Sequence, residues 1–167
     1  MTQKAIGPSF YDELVASGGL VGQHFSWSAD GTIEFFADTP ASVVAGVEAV
    51  YAVHNPATIP LPMQAQSALA TGLKLTSTGT PALNGTFACD PLSQMDIIAI
   101  ETSLNAGKGF PGGATTFNYP DASGAMHAFS QSNFTNFAAA VRDYVYALKS
   151  VIAGASSTLP SASATIA

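Results

Sequence analysis

Positive charge is scarce in this chain: Lys4, Lys74, Lys108, Arg142 and Lys149 are its only Lys and Arg residues, against eleven Asp and Glu, for a formal net charge of −6. A phosphate backbone is gripped by clustered cations, so this balance argues against nucleic acid as a partner. Charge of either sign is also sparse, at 10% of residues, where soluble domains usually carry about 25%. A surface built from Thr, Ser, Asn, Ala and Gly suits a subunit covered by neighbours in an assembly, a merely neutral surface being the alternative. The single cysteine, Cys89, excludes an internal disulfide and cannot alone build a zinc site. It is expected to be a small buried apolar residue. Long apolar runs are missing too: the most apolar stretch, Val43 to Val53, is broken by Glu48 and is too short to cross a bilayer. Met1 to Gly7 has no charged-then-apolar leader, so the expectation is a soluble chain without a secretion signal or a membrane partner.

Motifs that carry chemistry are equally thin. Gly107-Lys108-Gly109 looks like part of a phosphate loop, but Thr102 stands where that loop needs its first glycine and Gly109 where it needs Ser or Thr. His24, His54 and His127 are the only imidazoles, and none has a His, Cys or carboxylate at ligand spacing on a helix, so each is expected to be structural. Cys89 lacks a nucleophile signature, and no Gly-x-Ser-x-Gly elbow is present. Asp30, Glu34 and Asp38 are explained by a hairpin and a helix cap without invoking sugar hydrolysis. Asn84-Gly85-Thr86 and Asn133-Phe134-Thr135 match glycosylation acceptors but read as a turn and a helix start. The expectation is a protein that is not an enzyme and uses neither cofactor nor metal.

What is present is one supersecondary unit written twice. Phe25 and Trp27 open a strand, Ala29-Asp30-Gly31 turns, Thr32 to Phe36 returns, and a helix runs from Pro40 to His54. Phe117 and Tyr119, the turn Asp121 to Gly124, the return Ala125 to Phe129 and a helix opened by Ser132 repeat that order. The last helix is marked by an apolar stripe of Phe134, Phe137, Ala138, Val141, Tyr144, Val145, Leu148 and Ile152. A short first helix is expected after a Ser9/Asp12 capping pattern, stopped by Gly18-Gly19. Asp90-Pro91 caps another helix, with Met95, Ile97, Ile98 and Leu104 as its buried side. Further strands are expected at residues 22–28, 72–77 and 85–89.

The fold class is therefore α+β: two small hairpin-plus-helix modules, with helices packed on antiparallel sheets. The expected divisions are an N-terminal helix/hairpin/helix module at 1–56, a Pro-containing linker at 57–70, a C-terminal α+β module at 71–154 and a flexible tail at 155–167. Pro56, Pro60 and Pro62 favour an extended connector, and the small polar tail either moves freely or lies along a neighbouring subunit. Alternation puts Ile33 and Phe35 on one face of their strand and leaves Phe36 on the other as an exposed aromatic. With Lys108, Phe110 and Pro111 in the glycine-rich loop Asn105 to Ala114, Phe36 makes up the candidate interaction surface.

The run Gly72 to Phe87, the cap Asp90-Pro91, the loop Phe110-Pro111-Gly112-Gly113, and Gly124, His127-Ala128-Phe129 and Phe134 to Leu148 resemble an uncharacterised domain family of tailed bacteriophages and prophages. The resemblance covers residues 72–152, with an associated N-terminal segment at 25–56 similar to one found in the same proteins. That family is encoded in tail modules, near fibre, baseplate and tail-assembly genes. The resemblance implies a virion structural protein of the tail region acting through protein contacts with other phage structural proteins, as a homo- or hetero-oligomer. It would reside in the virion, and in the host cytoplasm during assembly. A tail-fibre assembly factor, or a module recognising a host-surface glycan with aromatics such as Phe36 and Trp27, is the alternative.

Overall fold

Residues 3–22 and 24–167 are described by a computed structural model. Met1 and Thr2 of the N-terminal stretch, and Gln23 inside the strand expected over 22–28, lie outside the described residues. The fold is α+β, with five α-helices and seven short strands among the described residues. It divides into two units, Met1–Pro60 and Leu61–Ala167.

The first unit contains α1 (Phe10–Ala16), the antiparallel hairpin β1 (Phe25–Trp27) and β2 (Ile33–Phe35), and α2 (Ala41–Val53). Asp30 shapes the hairpin turn: its carboxylate accepts from the Ser28 hydroxyl and the Thr32 amide at 2.8 and 2.9 Å. Phe10, Leu14, Val47, Val50 and Tyr51 form the buried centre, and Phe25, Trp27, Ile33 and Phe35 close over it. Ser9 does not act as the expected cap. It has helical backbone angles and no side-chain cap bond, because its hydroxyl is drawn to Glu13 Oε1 at 2.8 Å instead.

The second unit begins with α3 (Leu61–Thr71), which occupies most of the stretch expected to be linker. Pro62 lies in the first helical turn, where the missing amide costs nothing, and Met63 to Thr71 then propagates the helix. Next come β3 (Leu73–Ser77) and β4 (Gly85–Phe87), an antiparallel pair linked by a 3-10 turn at Pro81–Leu83. After α4 (Pro91–Asn105), the hairpin β5 (Thr116–Pro120) and β6 (Met126–Ser130) leads directly into α5 (Gln131–Ile152). The cap of α5 is Ser130, whose hydroxyl accepts from the Asn133 amide, so the helix starts two residues before the expected Ser132.

The tail is not loose. Ser163–Ile166 forms β7, which pairs parallel with β3 from Lys74↔Ser163 to Ser77↔Ile166. The sheet order β4-β3-β7 is therefore mixed rather than purely antiparallel. Burial of Ile166, together with backbone bonds from the Lys74 and Thr78 amides to the Ala162 and Ile166 carbonyls, holds a segment whose polar composition alone suggested mobility.

All the expected apolar positions of α5 are buried except the half-buried Ile152, and Val151 joins them. They cover a cluster of aromatic rings from four elements: Phe87, Tyr119, Phe129, Phe134 and Phe137. Cys89 is buried beside them, and burial pushes its thiol up to about 11.

Candidate functional site

Folding pairs each of the three histidines with a carboxylate that is distant in sequence or across a turn, which helical spacing did not reveal. His54 is the most enclosed. Its Nδ1 donates to Glu13 Oε2 at 2.8 Å, its Nε2 accepts the Gly7 amide at 2.9 Å, and Ser9 Oγ donates to Glu13 Oε1. A hydrolytic triad requires the hydroxyl proton to pass to imidazole. Here the hydroxyl faces the carboxylate, and the remaining ring nitrogen is already taken by a backbone amide. The network ties the segment before α1, α1 and the end of α2 together, and gives Ser9 no base.

His127 sits where β6 meets the 3-10 turn. Its Nδ1 donates to the Ala82 carbonyl at 2.7 Å, and its Nε2 lies 3.3 Å from Asp121 Oδ2. The other carboxylate oxygen, Oδ1, accepts from Ser123 Oγ, the Ser123 amide and the Ala125 amide at 2.6, 2.8 and 3.0 Å. Gly85 lets β4 press against this pair, since a Cβ there would stand 3.1 Å from Asp121 Oδ2 and 3.2 Å from His127 Nε2. The Ser123 hydroxyl foremost, with the Ala125 amide and His127, outweighs the opposing effect of burial and holds the Asp121 carboxyl down at about 2.

A carboxyl whose folded value lies below its ordinary 3.8 adds stability that is complete above the ordinary value and disappears as pH falls toward the folded one. The melting-temperature advantage of the wild type over Asp121→Asn is therefore expected to be constant above about pH 5 and to shrink as pH falls from the ordinary value to about 2. An advantage unchanged down to the acid end, followed by calorimetry, would contradict this role. His24 and Asp38 form the third pair, in which both side chains are well exposed, an arrangement worth little to stability.

The residues chosen from sequence are divided between the two units. Phe36 is 53% exposed in the first unit, and Lys108 and Pro111 are exposed in the second. Phe110 is only 2% exposed; its ring stacks on Phe117 at 5.5 Å and meets Phe134 edge-on at 6.0 Å. The glycines around it let the loop fold this one aromatic inward, so Phe110 belongs to the core and not to a contact surface. Trp27 likewise packs edge-on against Phe10 at 5.7 Å, against the core of the first unit.

A different surface emerges on α4 and α5. Met95 and Ile98, expected on the buried side of α4, are 67% and 59% exposed, and Leu92 one turn earlier is also exposed. The buried side is formed by Ile97, with Ile100 and Leu104 partly buried. Counting back from Ile97 at 100° per residue shows why: Met95 projects from the opposite side of the helix and Ile98 from its flank. Between α4 and α5 runs a groove of about 310 Å³. Its floor is Ile97, Ala138, Val141 and Val145, and Glu101, Arg142, Tyr146 and Lys149 stand around it. The sequence signal for this surface was the surplus of apolar residues on α4, more than one buried face can hold.

Among the described residues, no group of three or more His, Cys, Asp or Glu is placed to hold a metal ion, and no helix is long and apolar enough to cross a membrane. No protein-family model, curated protein or solved structure matches this chain.

Proposed function

We propose that this chain is a structural protein of the tailed-bacteriophage virion, placed in the tail region and acting through protein–protein contacts. The observation that carries the contact role is the apolar-floored α4–α5 groove, with the exposed side chains Ile98 and Tyr146 lining it. A contiguous apolar surface of this kind is uncommon on a freely diffusing monomer and common where another protein binds. The low charge of the chain fits the same role. The phage assignment is supported by the resemblance over residues 72–152, whose glycine-rich loop and capped helices build the groove-bearing unit.

Mass spectrometry of purified virions tests the proposal. The chain is expected among the particle proteins in stoichiometric amount and in the tail fraction after particle disruption. Its absence from mature particles would sink the structural role.

A further inference from the structure

We infer that His54 is an acid-operated latch on the segment before α1: a proton taken up by its ring expels the Gly7 amide and loosens residues 3–8, while α1 and α2 stay docked. The latch lies in the first unit and is independent of the α4–α5 groove. The His54 side chain has no exposed surface. A neutral imidazole donates from one nitrogen and accepts at the other, whereas an imidazolium donates from both. Here Nδ1 faces the Glu13 carboxylate at 2.8 Å and Nε2 faces the Gly7 N–H at 2.9 Å. Only the neutral ring, with its proton on Nδ1, satisfies both neighbours.

A second proton lands on Nε2, where it meets an amide hydrogen at bonding distance, and one of the two donors must leave. The ring is held in place. Glu13 Oε2 still accepts from Nδ1, and more strongly once the ring is charged. Ser9 Oγ fixes the other carboxylate oxygen at 2.8 Å, and the Phe10 ring stands edge-on to the imidazole at 5.0 Å. Movement therefore falls on Gly7. The other charged group at His54 is Lys4, whose ammonium donates to the His54 and Ala52 carbonyls at 2.6 and 3.0 Å. Positive charge arriving on His54 weakens this anchor as well. On α2, the Tyr51 hydroxyl is occupied by the Lys4 backbone, and Asn55 to Thr58 after α2 contain no titratable side chain. Gly7 lies against Pro56, so its departure also uncovers the chain just past α2.

Nuclear magnetic resonance on the isotope-labelled full chain, titrated from about pH 8 to about pH 5, tests the latch. The His54 ring is expected as the Nδ1–H tautomer at the upper end and as imidazolium at the lower. As the ring takes its proton, the Gly7 amide should lose hydrogen-exchange protection about tenfold or more, after correction for intrinsic exchange, while the Val47 and Val50 amides keep theirs. His54→Gln offers a carbonyl oxygen to Gly7 and an amide to Glu13 without a titrating group, so Gly7 should stay protected throughout. His24→Gln should leave the wild-type response intact. If His54→Gln does not fold, the wild-type ring and amide signals decide alone. Three results would overturn the inference: protection at Gly7 that is constant while His54 titrates, a response that persists in His54→Gln, or a His54 ring that stays neutral until the whole first unit unfolds.

Discussion

Phe137→Ala is expected to lower the unfolding free energy of the second unit by about 3–5 kcal/mol, the range for removing a fully buried aromatic ring. Phe137 has no exposed surface. Its ring centre lies 4.7 Å from Phe87 on β4, 5.1 Å from Phe129 on β6 and 5.7 Å from Tyr119 on β5. One side chain of α5 thus bridges two separate sheets that share no hydrogen-bonded strand. Truncation removes the transfer energy of the ring and leaves a space that three other rigid rings cannot easily fill. Urea titration followed by far-UV circular dichroism provides the measurement. A loss below about 1 kcal/mol would mean that the aromatic cluster repacks freely and is not the keystone of the unit.

Gly72→Ala should cost about 3 kcal/mol or more, for two reasons that add. Gly72 joins the end of α3 to β3 at φ +91°, in the left-handed region that an L side chain resists. A Cβ there would also overlap the Phe87 carbonyl oxygen at the start of the β3–β4 ladder. Gly154→Ala separates these contributions. Gly154 follows α5 at φ +72° and has open space around it, so it carries the backbone strain without the collision, at about 1 kcal/mol. Equal losses in the two variants, measured by the same titration, would rule out the collision.

What could be read from the sequence follows the range of the interactions involved. The two hairpin-then-helix units, the cap at Asp90, the burial of Cys89 and the inward stripe of α5 depend on local spacing and local chemistry. So does the outward position of Phe36. The features missed depend on distant partners or on ambiguous punctuation. Pro56, Pro60 and Pro62 signal an extended connector, yet a proline in the first turn also starts a helix, and Met63 to Thr71 has no strong apolar period to settle the choice. The strand β7 has polar and small residues, and its partner β3 lies at the other end of the unit. Phe110 gave the impression of a loop-tip contact because the surrounding glycines indicate exposure, while the rings that bury it come from β5 and α5. The histidine pairs went unseen for the same reason: Glu13 and His54 meet only once two helices have docked.

The parallel pairing of β7 with β3 has a consequence for biosynthesis. β3 has only β4 beside it until residues 163–166 have been synthesised, so the three-stranded sheet is completed later than its first hairpin. During that interval the flank of Leu73 to Ser77 is an open template for the equivalent strand of another nascent chain. The order of synthesis thus leaves this flank of β3 uncovered until the segment that shields it has been made.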